Sequence, residues 1–145
     1  MYAIETNHLR KQFGSYEAVH SLDLKIPYGS ICGFLGKNGA GKTTTLKMLI
    51  GLMRPSSGEV IMLGKKREFG KIDNSIIGYL SDVPNFYHFF TAREYLEFCG
   101  KLYRIDKKEC NKKIDELLEK VGLQDSKNPI TNYSRGMKQR LGIAS

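Results

Sequence analysis

The clearest chemistry in the chain lies in Gly36-Lys37-Asn38-Gly39-Ala40-Gly41-Lys42-Thr43, which fits the spacing G-x-x-x-x-G-K-[ST] at every fixed position. Glycines at this spacing let successive backbone N–H groups turn inward around phosphate oxygens. Lys42 adds one mobile positive charge for the β- and γ-phosphates, and the Thr43 hydroxyl is a hard oxygen suited to Mg²⁺. The pattern therefore predicts that Gly36, Asn38, Gly39, Ala40, Gly41, Lys42, Thr43 and Thr44 bind the phosphates of a Mg-nucleoside triphosphate.

Such a loop must be held between a strand and a helix. Residues 30–35 read as a short buried strand, and Leu46, Leu49, Ile50 and Met53 recur at helical spacing after the loop. A helix starting near Gly41 would bring its N-terminal dipole and free N–H groups to the same anion.

Around this core, residues 2–8 and 19–26 alternate apolar and polar types, as half-buried antiparallel strands do, with turns at Gly14-Ser15 and Pro27-Tyr28-Gly29. Arg54-Pro55-Ser56-Ser57-Gly58 is expected to stop the helix. A second strand pair is expected at 59–63 and 65–69, and a buried strand at 76–80. From Thr91 the periodicity turns helical. Thr91 and Glu94 form a capping box with Phe90 and Tyr95 as its staple, and Tyr95, Leu96, Cys99, Leu102 and Tyr103 share a face. A second helix runs from an Asp106 cap to Gly122, burying Cys110, Ile114, Leu117, Leu118 and Val121. A polar connection at 124–129 leads to a third helix after Ser134. The division expected is residues 1–90 for the β region with the loop core, and 91–145 for a helical subdomain.

The chain has 145 residues, about one domain, and a formal charge of +8. Lys107, Lys108, Lys112 and Lys113 share their helix with Glu109, Asp115, Glu116 and Glu119, the mixture of a solvated face. No nucleic-acid reading motif or interleaved aromatic stripe accompanies the charge, so nucleic acid is not expected as a partner. Cys32, Cys99 and Cys110 lack metal-ligand spacing and read as buried or free thiols of a reducing compartment. No apolar run reaches membrane-spanning length and no secretory signal opens the chain, so a cytoplasmic location is expected.

Tyr133-Ser134-Arg135-Gly136-Met137-Lys138-Gln139-Arg140-Leu141 resembles the signature motif of ABC-transporter ATPase domains. The resemblance extends over the whole chain in order: strand region, phosphate loop, Ile77-Gly78-Tyr79-Leu80, Thr91-Ala92-Arg93-Glu94-Tyr95-Leu96, signature. It implies an α/β fold, a P-loop NTPase core of the ABC ATPase type, incomplete, with an N-terminal antiparallel β region and an α-helical subdomain. By that resemblance the cofactors are ATP and Mg²⁺, and a second ATP-binding domain packs head to tail. Ser134, Arg135, Gly136 and Met137 would then meet the γ-phosphate held by the other subunit. Arg135 and Met137 depart from the commonest family form, L-S-G-G-Q.

The resemblance further implies adenine stacking by an aromatic ahead of the loop. Phe13 matches, with Tyr16 as the alternative. The Q-loop glutamine, a Mg²⁺ contact, falls on Asp82, which equally reads as a loop aspartate opening the turn at Val83-Pro84. Residues 86–90, Phe-Tyr-His-Phe-Phe, lie where the family meets an integral membrane transporter subunit, placing the protein at the inner face of the cell membrane.

The function implied is the ATP-binding subunit of an exporter. The alternatives are a non-catalytic nucleotide-binding module and a soluble ABC ATPase with no transport role. The family's Mg²⁺-holding aspartate, catalytic acid and switch histidine follow the signature, and His8, His20 and His88 all precede it. The 145 residues alone are therefore expected to bind nucleotide without turnover, and to self-associate through apolar surfaces left open.

Overall fold

The computed structural model describes residues 1–69, 76–124 and 126–145. They form two compact units, Met1–Tyr79 and Leu80–Ser145. The division falls earlier than the expected 90/91 boundary because Phe86 is buried in the helical core and brings its segment with it.

In the N-terminal unit the alternating segments become long strands, β1 (Tyr2–Phe13) and β2 (Tyr16–Pro27), joined at Gly14-Ser15. With β3 (Ser57–Met62) and β4 (Lys65–Lys66) they form an antiparallel sheet in the order β2-β1-β3-β4. The β1–β2 register shifts between Thr6 and Leu9, where His8 has φ 48°. Buried Thr6 repairs the interrupted ladder. Its hydroxyl donates to the Leu22 carbonyl at 2.8 Å and accepts from the Leu24 N–H at 2.9 Å. Helix α1 (Lys42–Leu49) lays Met48 and Leu49 against Leu9, Val19 and Val60 to make the core of this unit.

The structure departs from four local expectations. Residues 30–35 and 76–80 are not strands: among the described residues no neighbour offers either stretch a hydrogen-bond ladder, and Ile31, Leu35, Ile76 and Tyr79 are exposed. An apolar run can become a strand only beside a partner. Helix α1 also stops at Gly51, with φ 82°, ahead of residues 54–58. Leu46, expected on the core face, is exposed, and Met48 is buried there instead.

The helical unit follows its sequence signals closely. α2 (Ala92–Leu102) opens on Thr91, whose hydroxyl accepts from the Glu94 N–H while the Glu94 carboxylate accepts from the Thr91 N–H at 2.8 Å. α3 (Lys107–Lys120) is capped by Asp106, which accepts from the N–H groups of Lys108 and Glu109, and it ends before Gly122 at φ 65°. A 3₁₀ turn at Ile130–Asn132 leads to α4 (Arg135–Ala144). The expected 124–129 connection contains Asp125, which lies outside the described residues. Leu96, Cys110, Ile114, Leu118, Ile130 and Leu141 pack the core, with Arg93 and Asp115 paired across α2 and α3. Leu102 and Tyr103, expected on the buried face of α2, are exposed because the helix ends there.

Candidate functional site

The phosphate-loop residues sit between the irregular stretch and α1. Gly39 and Gly41 both adopt positive φ, 82° and 77°. At Gly41 a side chain is excluded twice over, by the backbone angle and by the back wall. A Cβ there would lie 2.2 Å from the Ala18 carbonyl oxygen and 3.1 Å from Val19 Cγ2 of β2. That contact presses the loop against the sheet and fixes where α1 begins. Gly41 is the N-cap, so no side chain caps the helix, and its first turn holds no acidic residue. The N-terminal N–H groups and their share of the helix dipole are left for an external anion.

Lys42 folds back over the loop. Its ammonium donates to the carbonyls of Gly36 at 2.6 Å and Lys37 at 2.7 Å. Neutral carbonyls hold it in place without cancelling its charge, and an ammonium has three donors to give. The Ala40 N–H donates to the Lys37 carbonyl at 3.2 Å, closing the turn. Asn38, Gly39, Ala40 and Thr43 are exposed, Thr44 is half-buried, and Thr45 is buried as part of the helix base.

A depression of about 370 Å³ adjoins the loop, with Asn38, Gly39, Lys42, Thr43 and Thr44 on one side and Phe13, Tyr16 and Ala18 on the other. Phe13 and Tyr16, both candidates for adenine stacking, thus reach the same depression. The Phe13 ring carries Lys11 Nζ 5.1 Å from its centroid, and the Tyr16 hydroxyl donates to the Gly39 carbonyl at 3.4 Å. For Mg²⁺ the exposed Thr43 hydroxyl is a suitable hard ligand. Among the described residues no cluster of three or more His, Cys, Asp or Glu could hold a metal. A cation here would depend on phosphate oxygens and water beside Thr43, the set that Mg²⁺ favours.

In the helical unit Ser134 caps α4, its hydroxyl accepting from the Met137 N–H at 3.2 Å. Gly136 is exposed, a Cβ there meeting the Ser134 hydroxyl at 4.0 Å, the first turn has no acid, and Met137 packs on the core. Asp82 is highly exposed and its carboxylate meets the Arg135 guanidinium at 3.3 Å. Spacing gave no sign of this pair, because its partners lie far apart in the chain. Ala18, the wall behind Gly41, was equally hidden, since its contribution is a backbone carbonyl.

Of the aromatic run, Phe86 is buried and set edge-on to Tyr95, whereas Tyr87 and Phe89 are exposed, with Tyr87 also edge-on to Phe98. His8, His20 and His88 are exposed. His8 lies beside Asp23 and His20 beside Glu17. Glu17 is held below the ordinary carboxylate value by its hydrogen bond from Arg10.

Comparison with known proteins follows the same course. The model of the family described as ABC transporter matches residues 19–145. The chain is 46% identical over 145 residues to YxlF of Bacillus subtilis (strain 168), an uncharacterized ABC transporter ATP-binding protein, covering 99% of this chain and 47% of the relative. It is 47% identical to the bacitracin transport ATP-binding protein BcrA of Bacillus licheniformis, covering 97% of this chain and 46% of that one. The chain thus spans about half the length of the curated relatives it matches. Among solved structures, an ATP binding subunit of an ABC transporter superposes with TM-score 0.78, and cbiO1 from Clostridium perfringens, part of the ABC transporter complex cbiONQ, with 0.79. Each is 24% identical and covered over 60% of its own length, while 98% and 99% of this chain are matched. These two likenesses establish the fold.

Proposed function

The chain belongs to the ABC transporter family, and from that premise we propose that it binds MgATP through residues 36–44 and serves the ATP-binding subunit of a transporter. The observation that carries this reading is the Lys42 ammonium, set by two loop carbonyls beside a helix N-terminus with neither cap nor acid. Positive charge and open N–H groups converge there on one small volume, the requirement for a polyphosphate.

In this proposal Gly36, Asn38, Gly39, Ala40 and Gly41 supply backbone donors, Lys42 the charge, and Thr43 and Thr44 hydroxyls. Thr43 would hold Mg²⁺, which when bound neutralises phosphate charge and orients the terminal group. Phe13 or Tyr16 would stack on the base. ATP hydrolysis is a trait of the family. In the full-length protein it would be coupled to export through an integral membrane partner at the inner face of the cell membrane, with Tyr87 and Phe89 as the apolar contact. Among the described residues no helix is long and apolar enough to cross a membrane. Ser134, Arg135, Gly136 and Met137 would face the nucleotide of a second copy, head to tail.

Titration with a fluorescent ATP analogue and Mg²⁺ tests the reading. Saturable binding is expected, weakened about 10- to 100-fold in Lys42→Ala, the value of a charge-assisted hydrogen bond to phosphate. Binding indifferent to Lys42 would contradict it. For the full-length protein, co-purification with a membrane protein supports transport, and its failure favours a soluble ATPase.

A further inference from the structure

We infer that Asp82 is the resident counter-charge of Arg135, holding the signature arginine in place until the terminal phosphate on a second copy's nucleotide replaces the carboxylate. The inference rests on the head-to-tail reading above for the identity of that phosphate, and on the geometry of the helical unit for everything else.

Two contacts tie the segment around Asp82 to α4. At Gly142 a Cβ would lie 2.5 Å from Leu80 Cδ1 and 3.4 Å from Pro84 Cγ, so the segment lies directly against α4 where the helix carries no side chain. Arg135, about two turns toward the N-terminus on the same face, reaches Asp82 at 3.3 Å. The segment is thus anchored by apolar packing at one end of α4 and by charge at the other.

The two ends differ in kind. The Gly142 contact is apolar and half-buried. The ion pair is open to solvent, with side chains 81% exposed for Arg135 and 88% for Asp82. Such a pair adds little to folding and is easily exchanged. Its position gives it another use. The first turn of α4 contains no acid, and the Ser134 hydroxyl is committed to the Met137 N–H. The negative partner for this turn is therefore imported from Asp82. A planar guanidinium takes phosphate in the same fork geometry as carboxylate, and a terminal phosphate brings more charge and more acceptor oxygens. Exchange releases Asp82, and breaking its pair with Arg135 is the cost that closure must meet. Asp82 thereby pre-sets Arg135 and at the same time opposes closure of two copies. Both positions depart from the common family form, and their departures complement each other in charge.

The test follows nucleotide-driven association of the full-length protein by sedimentation with MgATP, and in parallel the binding of fluorescent ATP to single copies. Asp82→Asn is expected to strengthen association about two- to five-fold at low salt, the range of one exposed ion pair, with the gain shrinking as salt rises. Arg135→Ala should weaken association, Arg135→Lys should restore part of it, and Asp82→Asn in the Arg135→Ala background should add nothing. An Asp82→Asn effect that persists without Arg135 would overturn the pairing. Weaker Mg²⁺-dependent binding by single copies of Asp82→Asn would make Asp82 a metal contact and overturn it too. If the wild type binds nucleotide but its copies never associate, the head-to-tail reading falls and this inference with it. If association is normal and Asp82→Asn leaves it unchanged, the inference alone falls.

Discussion

In the helical unit, α2, α3 and α4 satisfy their backbone groups within themselves and meet around Leu96, Ile114, Leu118, Ile130 and Leu141. In the phosphate-loop unit the stretch leading into the loop, residues 30–35, has no ladder among the described residues and turns Ile31 and Leu35 to solvent. A helix brings its own hydrogen-bond partners and needs only an apolar face to dock, whereas a strand needs a neighbour before its side chains have anywhere to pack. The phosphate loop is therefore held chiefly from the side of β2 and α1, through the contact of Gly41 with Ala18.

The sharpest way to break this contrast is to damage each core. Leu141 is fully buried, and Leu141→Ala should cost about 2–5 kcal/mol, read as a lower urea midpoint for loss of helix. A loss well under 1 kcal/mol would mean that the helical core is not the close-packed one described. Next comes the wall behind the loop. Gly41→Ala imposes an unfavourable φ and a collision with Ala18, and about 1–3 kcal/mol should be lost from the β1–β2–α1 unit, along with nucleotide binding. Wild-type stability and binding in that variant would show that the loop does not lean on β2.

Smaller effects test how self-contained the helices are. Thr91→Ala removes the hydroxyl cap of α2 and should cost about 1 kcal/mol, measured as an earlier thermal transition. The same box sets a pH dependence. Glu94 is held below its ordinary value of 4.5 by the backbone N–H of Thr91 first and by its hydroxyl second. A lowered folded-state pKa stabilises above the unfolded value, and that contribution fades as pH falls through the folded one. Helix stability should therefore drop in acid below the ordinary carboxylate value. Glu94→Gln should flatten this part of the profile, and an unchanged slope in that variant would remove Glu94 as its source.

This division also governs what could be read in advance. The Thr91 and Asp106 caps, the Gly122 stop and the Ser134 start were legible because each is a contact within a few residues. The glycine turn that starts α1 was legible for the same reason, as were the β1–β2 hairpin and its turn. Residues 30–35 and 76–80 announced apolar strands, but strand formation depends on a neighbour that local pattern cannot supply. The Ala18 carbonyl behind Gly41 and the Asp82–Arg135 pair escaped notice on similar grounds, since they join positions distant in the chain and one of them uses backbone alone.

The central claim, that the triphosphate is held by residues 36–44 of the N-terminal unit, is tested most directly by amide hydrogen exchange with and without MgATP. The account predicts slowed exchange at Gly39, Gly41, Lys42, Thr43 and Thr44, lost in Lys42→Ala. Unchanged exchange at these amides, with protection confined to α2 and α3, would contradict it.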